Sequence, residues 1–418
     1  MDFSLDYDEE QEKFAKEVRA WIDENVPEDL ALPWDSRDLL QEEWEKRRKI
    51  ARKLGEKWWL YPDYPRQYGG GGLNAARTTV INREFAERIL GVPPYYTNVM
   101  AVPGILAYGT EEQKRRFLTP IFKGEVITWQ LFTEPEAGTD EANQHTNAVR
   151  DERDKEYFIV NGSKIFVGCL HSSPEETWLW LLARCDLAAP RHGNLAMFYI
   201  PATLPGITIQ LLDLFTSASL SESTVSATQP GDKNSVFLDD VRIHKSYLIG
   251  EEREGWKVTT ASLAVEHGDM SGPGGGEGGA RDVASNSLVE KFLSRCKNDP
   301  NVVKRLRENP QLVDSVVNIY IGAEIQRLLS VRNAWLPGSG ARIPHSGPQL
   351  ALYSKMFGTR LIADMAKVLG PYALTDDAEW GLDSSIFELG QRGGLCLAPG
   401  GTPEALKILM SRALGIGR

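Results

Sequence analysis

The chain has 418 residues, of which 42% are hydrophobic and 25% charged, with a formal net charge of −11. That length exceeds what one small core needs and predicts two or three subdomains. The acidic balance excludes nucleic acid as the main partner, because phosphate binding requires a basic surface. Residues 1–125 read as an N-terminal helical domain. Phe14, Val18, Trp21 and Ile22 follow helical spacing with charged residues opposite. The glycine-rich stretch at residues 69–72 follows no strand and precedes no Lys-Ser/Thr pair, so it reads as a flexible turn and not as a phosphate loop.

From 126 to 244 the pattern changes to short β-branched and aromatic runs: Val126–Phe132, Tyr157–Val160, Lys164–Val167, Thr177–Ala183, Ala196–Ile200 and Ile207–Leu211. Asn161-Gly162 between two of them predicts a hairpin turn. Short strands joined by polar turns indicate an antiparallel barrel or sandwich. From 245 to 418 the helical period returns. Val289, Phe292, Leu293 and Cys296 share one face, as do Tyr353, Met356, Phe357 and Arg360. Pro300, Pro310, Pro337 and Pro344 mark breaks. The fold class expected is therefore α+β and multidomain: an N-terminal α-helical domain (1–125), a middle antiparallel β-domain (126–244) and a C-terminal helical bundle (245–418).

Cys169, Cys185, Cys296 and Cys396 have no metal-site spacing and read as reduced thiols; no metal is expected. The acidic start lacks the basic-then-apolar pattern of a signal peptide, and no apolar stretch is long enough to span a bilayer. The expected location is cytoplasmic.

Several blocks occur in order. They are YGTEEQKRRFLTPIFKGE (108–125), LFTEPEAGTD (131–140), VNGSKIFV (160–167), FLDDVRI (237–243), GEEREGW (250–256) and GGTPEALKILMSRALGIGR (400–418). Together they resemble the acyl-CoA dehydrogenase flavoprotein family over nearly the whole chain. The resemblance implies a three-domain fold, FAD as cofactor and an acyl-CoA thioester as substrate. It also implies an electron-transfer flavoprotein as acceptor, and a homodimer or homotetramer with a heterotetramer as alternative. Carried over residue by residue, it places Gln130, Phe132 and Thr133 against the flavin, with Gly138 and Thr139 near a phosphate of the cofactor or substrate. Phe166, Val167 and Gly168 take the flavin's other edge, and Thr402 and Glu404 the adenosine half. A flat ring of this kind needs a flat wall and hydrogen-bond donors along its polar edge.

The chain departs from the family at named positions. Gly168 stands where a hydroxyl residue is usual. No R-x-x-F-G motif is present, and Arg295 is the candidate substitute. Pro371 interrupts a turn that is usually glycine-rich. Residues 215–234 form an unassigned Ser/Thr-rich insertion.

The reaction implied is α,β-desaturation. A desolvated carboxylate takes the α-proton while the β-hydrogen leaves as hydride, and the thioester oxygen needs aimed donors. Most of the family carries the base just before Gly-Thr in the C-terminal block, where this chain has Gly400. In the branch that includes the isovaleryl-CoA and long-chain enzymes the base comes from a helix, and Glu266 falls at that position. Gly400 then leaves room for the carboxylate and offers its N–H to the thioester. His267 and Ala264 replace an Arg and an Asp usual beside this Glu. The glycine-rich stretch 268–279 resembles bacterial members that accept bulky or ring-bearing acyl groups. Two alternatives stay open: a flavin oxidase or monooxygenase on the same fold, and a non-catalytic FAD-binding subunit of a hetero-oligomer.

Overall fold

A computed structural model describes residues 7–27, 41–88, 98–168, 173–212, 233–266, 287–339, 341, 343–374 and 401–416. Of residues 264–266 it describes the backbone. The N-terminal third is helical: α1 (Glu9–Asn25), α2 (Gln41–Glu56), α3 (Ala75–Arg88), α4 (Asn98–Tyr108) and α5 (Glu111–Phe122). Polar residues set the starts. Asp8 accepts from the Gln11 N–H at 2.8 Å while the Gln11 side chain accepts from the Asp8 N–H at 3.0 Å. Thr110 and Gln113 repeat this reciprocal cap at α5. Val18 and Ile22 are buried with Phe14 and Trp21 packed beside them, as their spacing predicts.

The glycine stretch is tightly packed rather than loose. A side chain at Gly70 or Gly71 would meet backbone at 2.4 Å. Backbone N–H groups of Gly71 and Gly72 donate to Tyr61 and Tyr64 at 2.8 and 2.9 Å.

The strands are β1 (Ile127–Leu131), β2 (Asn147–Arg150), β3 (Tyr157–Val167), β4 (Thr177–Arg184), β5 (Leu195–Pro201), β6 (Ile207–Leu212), β7 (Lys233–His244) and β8 (Leu248–Ile249). They form one sheet in the order β6-β7-β3-β2-β4-β5-β8, with β1 beside β4. Pairing is mostly antiparallel; β1 and β2 run parallel to β4.

The hairpin expected at Asn161-Gly162 is absent. Both residues lie inside β3; Asn161 pairs with Asn147 of β2, and the register against β7 slips between Val160 and Gly162. Gly162 takes φ +152, and a Cβ there would stand 2.4 Å from the Thr146 hydroxyl. The glycine therefore serves a bulge and not a turn.

The strands alternate between two cores. Leu179, Leu181, Ala196, Phe198 and Ile200 face a core within the β-domain. Trp180, Leu182, Met197 and Tyr199 face outward and belong to the core of the N-terminal helices.

After β8 come α6 (Gly255–Glu266), α7 (Ser287–Asn298), α8 (Pro300–Glu308), α9 (Gln311–Ser339), α10 (Ser346–Leu369) and α11 (Pro403–Ala413). Helix α6 packs on α4 and on β4 and β5. Helices α7 to α10 build a third core that includes Val289, Phe292, Cys296, Phe357 and Met365. Two expectations fail here. Met356 is 53% exposed although Phe357 beside it is buried. Pro337 lies inside α9 and does not end it. Among the described residues no helix is long and apolar enough to cross a membrane. The insertion at 215–232, the stretch 268–279 and Gly400 lie outside the described residues.

Candidate active site

The TEP turn begins where β1 ends. Phe132 is buried, Thr133 partly so, and the turn closes by reciprocal backbone bonds between Glu134 and Ala137 at 3.0 and 3.1 Å. The Thr133 carbonyl accepts from the Ile165 N–H at 3.0 Å, which ties this turn directly to β3. The structure thus brings together the two sequence blocks expected to line one flat ring. Gly138 and Thr139 follow on the exposed side, and a Cβ at Gly138 would meet nothing within 4 Å.

At the end of β3 the register against β7 shifts between Lys164 and Val167. Phe166, in this bulge, adopts φ +60 and is 51% exposed, an uncommon combination for an aromatic residue. Val167 is buried, and its carbonyl accepts from Asn234 at 3.2 Å. Gly168 has φ +67, and any Cβ there would sit 2.1 Å from the Trp129 ring. This explains the departure at Gly168 physically. Trp129 fills the space that the usual hydroxyl residue would need.

A buried ionic group holds this corner. Lys164 is 0% and Glu134 2% exposed in their side chains, with Nζ and Oε1 2.7 Å apart. The ammonium also donates to the carbonyls of Phe132 at 3.2 Å and Leu182 at 2.8 Å, and to the Gln144 side-chain oxygen. Glu134 accepts from the backbone N–H groups of His145 and Thr146 at 2.6 and 3.0 Å. Burial pushes the Glu134 carboxyl up, but Lys164 and the hydrogen bonds outweigh it and hold it below its ordinary value. Burial lowers the Lys164 ammonium to about 8, against the opposing pull of Glu134. Each partner thus favours the charged form of the other against the cost of burial.

Glu134 and Lys164 stand in two separate sequence motifs that linear order does not pair. A signal exists: Lys164 shares the inward parity of Phe158 and Val160 on β3, and a lysine at an inward position needs a buried partner.

Gln130, partly buried, pairs with Trp180 across β1 and β4. The Trp180 indole N–H donates to Ser262 on α6 at 3.1 Å. Glu266 ends α6, one turn beyond Ser262. Arg295, Thr402 and Glu404 stand in helices that pack with other C-terminal helices, α7 with α8 and α9, and α11 with α10. Arg295 forms an ion pair with Asp299 at 3.4 Å. The Thr402 hydroxyl caps α11 by accepting from the Ala405 N–H at 3.2 Å, and Glu404 is exposed in the first turn. Pro371 lies in a short 3-10 turn after α10.

Two family models match the chain, those of the acyl-CoA dehydrogenase N-terminal domain over residues 8–125 and middle domain over residues 130–227. The chain belongs to the acyl-CoA dehydrogenase family. Acyl-CoA dehydrogenase FadE26 of Mycobacterium tuberculosis is 29% identical over 382 residues, covering 89% of this chain and 88% of that one. Among solved structures, a protein described as "Tcur3481-Tcur3483 steroid ACAD" shares the fold with a TM-score of 0.75 at 24% identity, covering all of both chains. The ChsE4-ChsE5 complex from Mycobacterium tuberculosis gives a TM-score of 0.75 at 23% identity, covering 99% of this chain and 100% of that one. The acyl-CoA dehydrogenase architecture is therefore that of this chain: N-terminal helices, a middle sheet domain and C-terminal helices.

Proposed function

We propose that the chain is an FAD-dependent acyl-CoA dehydrogenase that desaturates a bulky, ring-bearing acyl thioester, with divisions near residues 125 and 244. The observation that supports it most is the junction of the TEP turn with the β3 bulge. An exposed aromatic ring at Phe166 and an open Gly138 lie beside backbone that the Thr133–Ile165 bond holds in place. These residues fit the edge of a flat heteroaromatic ring. Gln130, Phe132, Thr133, Phe166 and Val167 would hold the flavin, and Thr402 and Glu404 the adenosine half. When bound, the flavin supplies a hydride acceptor for the substrate's β-hydrogen.

Glu266 takes the α-proton on its carboxylate. In this reading the Gly400 N–H stabilises charge on the thioester oxygen. The steroid description of one structural relative and the glycine-rich stretch after Glu266 support a large acyl group. The two-chain complex among the relatives supports an oligomer. An electron-transfer flavoprotein is the acceptor in this reading.

The test is the visible spectrum of the purified protein before and after addition of acyl-CoAs, steroid-side-chain thioesters included. Bleaching of the flavin by wild type, lost by several orders of magnitude in Glu266→Gln, is the expected result. Equal bleaching in both removes Glu266 from the mechanism.

A second reading, a non-catalytic FAD-binding subunit, is favoured by Gly168, which offers no hydroxyl and whose contact with Trp129 leaves no room for one. In that case no acyl-CoA bleaches the wild type unless a partner chain is added.

A further inference from the structure

The buried group at Lys164 does more than join two strands. Two donors converge on one carbonyl: Lys164 Nζ and Gln144 Nε2 reach the Phe132 oxygen at 3.2 and 3.1 Å. Each is anchored in turn. Gln144 Nε2 also donates to the Glu141 carbonyl at 2.7 Å, and Lys164 is fixed by Glu134 and the Leu182 carbonyl. Glu134 is itself held by the amides of His145 and Thr146.

The Phe132–Thr133 peptide is planar and trans, so its N–H points opposite to its carbonyl. Pulling the Phe132 oxygen inward therefore turns the Thr133 N–H outward. Among the described residues no protein acceptor meets that N–H. The next carbonyl, of Thr133, is fixed by Ile165, so the peptide cannot rotate freely on either side. A buried ion pair is costly to desolvate and is a weak stabiliser, so stability alone does not account for this group.

We infer that Lys164, Gln144 and Glu134 form a positioning device that aims the Thr133 N–H at the flavin's polar edge. The inference rests on the flavin reading given above. The three residues touch neither substrate nor cofactor; they act through one peptide plane.

The test compares wild type with Gln144→Leu and with the double variant Glu134→Gln/Lys164→Met, all purified with FAD. Three quantities are measured: melting temperature after removal of FAD, FAD dissociation constant by fluorescence titration, and the visible band and midpoint potential of the bound flavin. Gln144→Leu removes one of the two donors and leaves the ion pair in place. The expected result is a lowered melting temperature, from the loss of a buried amide, together with FAD bound about tenfold more weakly, the worth of one misaimed hydrogen bond. The flavin band and potential move with it. The double variant, which leaves no buried charge unpaired, moves the same quantities further.

Wild-type FAD affinity, band and potential in the folded variants overturn the positioning role. So does weaker binding that only follows a lowered melting temperature with an unmoved band. If the double variant does not fold, Gln144→Leu decides. Wild type that takes up no FAD overturns the proposed function itself, a result distinct from variants that bind as wild type does.

Discussion

Single side chains at the β3 bulge have measurable consequences for stability. Lys164→Ala leaves Glu134 buried without its counter-charge and is expected to cost about 3–5 kcal/mol. Urea denaturation at neutral pH measures it. The same pair predicts acid behaviour. The folded Glu134 carboxyl titrates below its ordinary 4.5, so as pH falls the unfolded chain takes up the proton first. Its contribution is complete above about pH 4.5 and is lost below. The stability gap between wild type and Glu134→Gln is therefore expected to shrink as denaturation is repeated from pH 6 down to pH 3.

Gly168 gives another test. Gly168→Thr meets both the positive φ and the Trp129 ring, and is expected to cost about 3 kcal/mol. In a Trp129→Ala background the same substitution costs less, and a double-mutant cycle reads the difference. The sequence marked Gly168 as unusual but could not show why, because Trp129 lies on a different strand and its approach is a tertiary fact. Glu134 and Lys164 were legible as letters of two motifs. Their pairing was not, since nothing in linear order relates a turn after β1 to the inward parity of β3.

Among the elements, α6 packs both on the N-terminal helix α4 and on strands β4 and β5. Its N-terminus is pressed so close to β5 that a Cβ at Gly255 would stand 2.6 Å from backbone of Leu195 and Ala196. Ser262 fixes the other end by accepting from Trp180. Ser262→Ala orphans a buried indole N–H and is expected to cost about 1–3 kcal/mol by thermal or chemical denaturation. The helical and strand segments were read correctly wherever periodicity was strong, as at α1 and α7. The reading failed at Asn161-Gly162, where a strong local turn signal gave way to two neighbouring strands that keep the chain extended. It failed again at Met356, because α10 meets its neighbours along a narrower stripe than the apolar residues alone suggest.

For the whole molecule, the order helices, sheet, helices was legible because the hydrophobic period changes twice along the chain. Packing between those parts was not, since it depends on which face of β4 and β5 each residue takes. Along α9, Val313, Val317, Tyr320 and Ile321 are each more than 40% exposed at helical spacing. That row, with the oligomer proposed above, predicts a mass of at least a dimer by light scattering at micromolar concentration. Val317→Glu/Ile321→Glu is expected to lower that mass while leaving the β-domain folded.

The two-faced strands have a consequence for how the protein comes apart. Trp180 and Tyr199 are fully buried on helical partners, and Thr128 bonds the Tyr199 hydroxyl at 2.9 Å behind them. The middle sheet is thus half of someone else's interior. Cut out at its boundaries, it would present a wall of indole and phenol rings to water. The sequence divides into modules more readily than the molecule does. Residues 7–266 should melt as one cooperative unit, and an isolated 126–244 fragment should precipitate where a 1–266 fragment stays in solution.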